Sequence, residues 1–183
     1  MAGVIITIPP SGDGYLYALN ASTSTKLWSY NTGKDVFSSP AVANGVVYIG
    51  SLVHNVDALN ARTGALLWSY TTGGAVGSSP AVANGVVYVG CSGGDRLYAL
   101  TASTGAKLWS HAGAGGSSSP AVANGVVYVG SGNADALFAL NARTGALLWS
   151  YTTGGTVYSS PAVANGMVYV SSGDGNVYAF GLK

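Results

Sequence analysis

The chain repeats itself. Pro40, Pro80, Pro120 and Pro161 each sit in a copy of Ser-Pro-Ala-Val-Ala-Asn-Gly, spaced 40, 40 and 41 residues apart, and Trp28, Trp68, Trp109 and Trp149 follow at spacings of 40, 41 and 40. Residues 63–85 match 144–166 everywhere except Ala75/Thr156 and Gly77/Tyr158, so the copies arose by recent duplication or by deliberate construction. One such unit cannot bury its apolar surface alone. It must stack on its neighbours, and a period near 40 residues points to a propeller or a solenoid.

Within each unit the sequence marks four short strands. Pro-Ala-Val-Ala closes on Asn-Gly (Asn44-Gly45, Asn84-Gly85, Asn124-Gly125, Asn165-Gly166), a two-residue hairpin signal, because both central positions can take a positive φ. Val-Val-Tyr-Val/Ile follows, then Leu-Tyr-Ala-Leu or its variants (16–19, 97–100, 137–140), then, after a turn, Leu-Leu-Trp-Ser-Tyr. Four antiparallel strands in about 40 residues make one propeller blade. The small residues of the first strand suit the crowded axis, and the Tyr and Trp of later strands suit the wider gaps outside.

Composition agrees with an all-β chain and narrows its partners. Charged residues are 7%, glutamate is absent and glycine numbers 28 of 183 residues, so the usual helix formers other than Ala and Leu are scarce. A net charge of +1 gives no basic field for nucleic acid or an anionic membrane. Despite a hydrophobic fraction of 48%, Ser, Gly, Asn and Pro interrupt every apolar run before it could span a bilayer as a helix. Residues 1–8 read as a strand, not as a signal peptide. Cys91 is the lone cysteine, so no internal disulfide can form.

The segment 58–68 reads Ala-Leu-Asn-Ala-Arg-Thr-Gly-Ala-Leu-Leu-Trp, recurs at 99–109 and 139–149, and has a degraded copy at 18–28. It resembles the tryptophan-docking motif of pyrroloquinoline quinone (PQQ) repeat propellers, and residues 12–19, Gly-Asp-Gly-Tyr-Leu-Tyr-Ala-Leu, resemble the strand entry of that family. Ser24 stands where the motif has Gly, and Thr101 where it has Asn. The resemblance implies that Trp28, Trp68, Trp109 and Trp149 pack between blades, held by the Thr-Gly turns Thr63-Gly64, Thr104-Gly105 and Thr144-Gly145. It also implies seven or eight blades in most relatives, eight in the quinone enzymes, and a periplasmic or extracellular setting.

Strand counting then sets an expectation for the architecture of a single domain over 1–183, with units at about 1–38 (partial), 39–78, 79–118, 119–159 and 160–183 (partial). There are four first strands, five second strands (residues 4–8 match 46–49), five third strands (including 177–180) and four outer strands. Three blades are complete within 40–151, and a fourth combines the C-terminal piece with an N-terminal one. About four blades per chain is half of eight, so the expected assembly is a homodimer that closes an eight-bladed ring by exchanging terminal strands, with a closed four-bladed monomer as the alternative. An apolar half-ring with open strand edges needs some closure.

For chemistry, the quinone dehydrogenases of this resemblance imply a catalytic Asp, a Ca²⁺ site with Glu and Asn, a stacking Trp and a vicinal disulfide, and a chain without Glu and with one Cys cannot supply two of these. Asp13, Asp57, Asp95, Asp135 and Asp174 are expected in the loop before the third strand, once per blade, as turn formers. Asp174-Gly175-Asn176 lacks the remaining ligands of a calcium loop. His111 stands where other copies have Tyr30, Tyr70 and Tyr151, His54 falls in a variable, exposed loop, and Cys91 replaces Ser51 and Ser131. The runs Gly73-Gly74 and 113–116 have no following Lys-Ser/Thr for a phosphate loop. Tyr48, Tyr88, Tyr128 and Tyr169 recur once per blade and read as inter-blade packing. The expectation is a non-enzymatic scaffold with a structural or protein-interaction role, possessing no cofactor, metal or catalytic residues and engineered or recently amplified. The alternatives are a PQQ-dependent dehydrogenase fragment and a small-ligand or glycan binder.

Overall fold

Asn44, Asn84, Asn124 and Asn165 all adopt φ of 50°, and Gly45, Gly85, Gly125 and Gly166 follow at 76°, 75°, 75° and 71°. Both central turn residues are therefore left-handed, the type I′ geometry whose twist matches that of the strands it joins. The computed structural model describes residues 4–7 and 13–181. Its three complete blades are β4 (Ala41–Ala43), β5 (Val46–Gly50), β6 (Asn55–Asn60) and β7 (Leu66–Thr71); then β8 (Ala81–Ala83), β9 (Val86–Cys91), β10 (Arg96–Thr101) and β11 (Lys107–Ala112); then β12 (Ala121–Ala123), β13 (Val126–Ser131), β14 (Ala136–Asn141) and β15 (Leu147–Thr152). Each is an antiparallel meander in chain order.

The ends differ from a four-blade count. β1 (Val4–Thr7), β2 (Tyr15–Asn20) and β3 (Lys26–Asn31) form one three-stranded sheet without an inner strand, and β16 (Ala162–Ala164), β17 (Met167–Ser171) and β18 (Val177–Gly181) form another without an outer strand. Among the described residues the two pieces do not merge, and these residues form five sheets. The physical reason is local: consecutive antiparallel strands close through short loops, whereas merging would expel a paired second and third strand. Residue 8, expected in the first strand, lies outside the described residues.

In each of the first four sheets the ladder between the third and fourth strands shifts register at the same place, between Ala18/Leu19, Ala58/Leu59, Ala99/Leu100 and Ala139/Leu140. The bulge leaves Leu27, Leu67, Leu108 and Leu148 about half exposed on the outer rim and sets the tryptophan one residue later on the inward side. The core is divided among the four junctions. At one, Tyr48, Val56 and Ala58 of one blade meet Val87, Val89, Tyr98 and Leu100 of the next; at another, Leu16, Ala18 and Trp28 meet Val47, Ile49 and Leu59.

Candidate functional site

The residues that the motif singles out lie at these junctions, and they act between blades. Trp28 Nε1 donates to Ala61 O at 3.1 Å, Trp68 Nε1 to Ala102 O at 2.9 Å and Trp109 Nε1 to Ala142 O at 3.1 Å. Each ring lies over the motif glycine of the following blade: a Cβ added to Gly64, Gly105 or Gly145 would stand 2.6–2.7 Å from Trp28, Trp68 or Trp109 respectively. Those glycines have φ of 73°, 72° and 71°, so they are needed both for the left-handed turn and for the close approach. Asn60 Oδ1 accepts from the N–H of Arg62 and Thr63, and Asn141 Oδ1 does the same for Arg143 and Thr144, which shapes the turn. Thr63, Thr104 and Thr144 accept on Oγ1 from the N–H of Ala65, Ala106 and Ala146 at 3.3 Å. Trp149 lies between the rings of Tyr128 and Phe180, tilted by 48° and 40° to them at centroid distances of 6.0 and 5.5 Å.

Two of the repeated tyrosines share these acceptors. Tyr48 Oη donates to Ala102 O at 3.2 Å and Tyr88 Oη to Ala142 O at 3.0 Å, so one carbonyl receives both a tyrosine and a tryptophan from the preceding blade. Burial pushes the Tyr48, Tyr88 and Tyr128 hydroxyls above their ordinary pKa.

Sequence reasoning missed the serines. The first Ser of each Ser-Ser-Pro ties its own blade together: Ser78 Oγ donates to Gly90 O at 2.9 Å and accepts from Gly90 N at 2.7 Å, and Ser38, Ser118 and Ser159 accept from Gly50, Gly130 and Ser171 N–H. The second Ser links blade to blade around the axis, with Ser39 N donating to Ser79 Oγ (2.8 Å), Ser79 N to Ser119 Oγ (2.8 Å) and Ser119 N to Ser160 Oγ (3.1 Å). The signal was present, since the serine pair precedes the proline in every copy.

The acids divide into several uses. Asp13 and Asp174 each cap their own turn, accepting from the N–H two residues on, and each accepts the hydroxyl of a Tyr four residues on (Tyr17, 2.8 Å; Tyr178, 2.6 Å). Asp174 also accepts from Gly154 N, and these bonds, led by that of Tyr178, hold its carboxyl down at about 2. Asp95 reaches the next blade, where Ser131 Oγ and Asn133 N donate to its Oδ2 at 2.9 Å. Asp135 enters its strand at φ of 48°, and its carbonyl accepts from Thr153.

Asp57 corrects the expectation that it forms a turn. It lies inside β6, opposite Ser69, at the position of Tyr98 and Phe138. The loop before β6 runs only from Ser51 to His54, and His54, exposed at φ of 71°, takes the left-handed position that Gly14 and Gly175 take at 75° and 87°. Asp57 is buried; Ser69 Oγ donates to it at 2.6 Å and Tyr30 Oη, across the junction, at 3.3 Å. Burial pushes its carboxyl up, partly offset by those two hydroxyls, and burial together with the carboxylate's charge pushes Tyr30 up to about 12. At the other junctions the same place holds a ring pair: Tyr70 with Tyr98, His111 with Phe138, Tyr151 with Tyr178. His111 thus serves as an aromatic, with Nδ1 3.1 Å from Gly145 O. Cys91 is buried in an apolar cluster.

Three grooves open at the junctions on the Asn-Gly hairpin side. Two are equivalent, about 310 Å³ beside Tyr48, Leu67 and Ala102 and about 440 Å³ beside Tyr88, Leu108 and Ala142. The third, about 450 Å³, lies between Val4 and Ile6 of β1 and Pro40 and Val42, where the first sheet has no inner strand.

Five sheets of antiparallel meander, three of their four junctions locked by a tryptophan from one blade onto the turn of the next, define a β-propeller built of PQQ-like repeats. The chain belongs to the family described as outer membrane protein assembly factor BamB, which matches it over residues 12–119 and 96–183. Among solved structures it is similar to BamB from Moraxella catarrhalis (TM-score 0.86, 22% identity, covering 100% of this chain and 59% of that one) and to the computationally designed Ika8 protein (0.81, 18%, 98% and 58%). It is also similar to the quinohemoprotein alcohol dehydrogenase ADHIIG from Pseudomonas putida HK5 (0.77, 21%, 99% and 41%). The chain therefore spans less than two thirds of each of these, and at such identities the likeness is one of fold. No curated protein sequence matches it.

The quinone and calcium of the dehydrogenases do not fit this chain. Trp28, Trp68 and Trp109 are each pinned by a hydrogen bond and a glycine in the next blade, and Trp149 packs at a tilt on Tyr128 and Phe180, so all four are engaged in packing between blades. The sequence has no Glu, and among the described residues no three His, Cys, Asp or Glu side chains converge.

Proposed function

We propose that the chain is a non-enzymatic propeller scaffold with a structural or protein-interaction role, an engineered or recently amplified repeat and not a dehydrogenase fragment. One observation carries this: the polar groups that recur from blade to blade are, at the internal junctions of the first four sheets, engaged in holding the blades together. Trp28, Trp68, Trp109, Tyr48 and Tyr88 donate to the next blade's carbonyls, and the serine pairs tie strands and blades around the axis. An active site on a repeat scaffold would need polar groups that depart from the period and converge, and the departures here are scattered. Asp57, His54, His111 and Cys91 stand in separate loops, strands and clusters. The near identity of 63–85 and 144–166, together with the likeness to a designed propeller, supports the recent or engineered origin.

The test is titration with PQQ and Ca²⁺, followed by absorbance and by alcohol-dependent dye reduction. The expected result is neither bound quinone nor turnover, and quinone-dependent dye reduction overturns the proposal.

A further inference from the structure

Two of the grooves on the Asn-Gly hairpin side lie between complete blades, and they differ in their chemistry. The one of about 440 Å³ separates the blade of β8–β11 from that of β12–β15; Val86, Tyr88, Leu108 and Ala142 give it an apolar lining, and Asn141 and Arg143 border it. In the groove beside Tyr48, Ser103 stands at the place of Arg143. Thr101 stands there at the place of Asn141. Arg62 borders the third groove, but the lining of that one includes β1 and Pro40 and so has a different shape.

Arg143 is a cation without a partner. Its side chain is exposed, and among the described residues no carboxylate or other acceptor engages its guanidinium. Asn141 adds a donor two residues away. Its Oδ1 accepts from the N–H of Arg143 and Thr144, both at 3.0 Å, which sets the orientation of the amide and leaves Nδ2 without a partner in the protein. The Tyr88 hydroxyl and the Trp109 N–H are both engaged with Ala142 O. Polar recognition in this groove therefore falls to Arg143 and to the amides of Asn141 and Asn84, and no lining residue carries a negative charge.

We propose that this groove binds a small monocarboxylate with an aromatic or aliphatic body, the apolar part against Tyr88 and Leu108 and the carboxylate on the Arg143 guanidinium and Asn141 Nδ2. A planar guanidinium meets a carboxylate through two parallel N–H···O bonds, so an acid is favoured over a neutral molecule of the same shape. A volume of about 440 Å³ lies within the range of small-molecule sites. The site adds a ligand to the scaffold and needs no catalysis. The groove beside Tyr48 is its internal control, since Thr101 and Ser103 remove both donors while the tyrosine and the leucine, Leu67, are kept.

Titration of the isotope-labelled whole chain with naphthoate, followed by amide NMR, tests this, because the shifts place the ligand at a particular turn. Saturable shifts are expected at residues 141–145 and at Tyr88, with a Kd of about 0.1–1 mM for so small a ligand. Arg143→Ser installs the residue that the chain itself carries at 103, so the turn tolerates it, and it is expected to weaken binding by about tenfold. Naphthylmethanol keeps the rings and drops the charge. It is expected to bind the wild type about tenfold more weakly than naphthoate does, and to bind Arg143→Ser as well as the wild type. Thr101→Asn combined with Ser103→Arg is expected to produce a second set of shifts beside Tyr48. The proposal is overturned by an absence of saturable binding in the millimolar range, by shifts confined to the turn of Arg62, or by an Arg143→Ser chain that binds naphthoate as well as the wild type. An alcohol that binds as well as the acid, or a double variant without the second set of shifts, overturns it equally.

Discussion

The ring of Trp68 lies over Gly105 so closely that a Cβ on that glycine would stand 2.6 Å from a ring carbon, while Nε1 of the same ring donates to Ala102 O three residues earlier. One turn thus supplies both a flat seat and an acceptor, and its left-handed φ of 72° permits neither a side chain nor easy relief. Gly105→Ala is expected to cost about 2–4 kcal/mol, from strain plus a displaced indole. Gly45→Ala is the control. It has a similar φ of 76° and nothing within 4 Å of the new methyl, so it is expected to cost only about 1 kcal/mol. Urea unfolding of the two variants measures the difference; equal costs would mean that tryptophan docking adds nothing at this glycine.

The two serines of one pair are expected to differ in the same way. Ser78 is buried, and its Oγ both donates to and accepts from Gly90, so Ser78→Ala leaves a buried N–H and C=O without their partner and is expected to cost about 2–3 kcal/mol. Ser79 Oγ accepts only from the N–H of Ser39, which is solvent-exposed, so Ser79→Ala is expected to cost about 1 kcal/mol or less. Thermal melts of both variants give the order, and a reversed order contradicts these assignments.

Much of this was legible in the sequence because the repeat states it many times. Asn-Gly pairs announced the hairpins, the period announced the blades, and the motif announced the tryptophans. What the sequence does not carry is direction. Nothing in Thr63-Gly64 says that it holds Trp28 of the preceding blade instead of Trp68 of its own, since that depends on how two sheets face each other. Asp57 was misplaced for a different reason. The loop before β6 has Val53 and His54 where the first and last sheets have Asp-Gly, so the nearest acid looked like the missing turn former although it lies three residues further on, inside the strand. The five-sheet count also escaped, because strand inventory alone cannot tell two partial sheets from one shared blade.

The Asp57–Tyr30 contact sets a pH dependence at both ends of the scale. A carboxyl whose folded pKa is raised makes the native state bind the proton more tightly, so its contribution to stability declines as pH rises from 3.8 through the folded value and stays lost above it. Tyr30, raised from 10 to about 12, contributes stability that is complete below pH 10 and lost as pH rises toward 12. Asp57→Phe installs the residue that the chain itself uses at 138. At neutral pH it is expected to raise stability by about 1–2 kcal/mol, by removing a buried carboxylate and restoring a ring pair with Tyr30, and to abolish the decline just above pH 3.8. Denaturant midpoints from pH 3 to 7 for the two proteins provide the check; parallel curves would show that Asp57 does not titrate differently on folding.

Asp174 carries the opposite sign. Its carboxylate accepts from Tyr178 Oη, Asn176 N and Gly154 N, which depress its folded pKa from 3.8 to about 2, so its contribution is present above pH 3.8 and is lost as pH falls toward 2. The group is partly open to solvent, so the effect is smaller than the shift suggests. Asp174→Asn keeps an oxygen to cap the turn but loses the charge. It is expected to be less stable than the wild type at pH 5–7, with the gap closing as pH falls through the window from 3.8 to 2. Paired with Asp57→Phe in one acid titration, the two substitutions change the slope in opposite directions. A gap for Asp174→Asn that is constant with pH would show that the anion at this turn is not what Tyr178 and Gly154 stabilise.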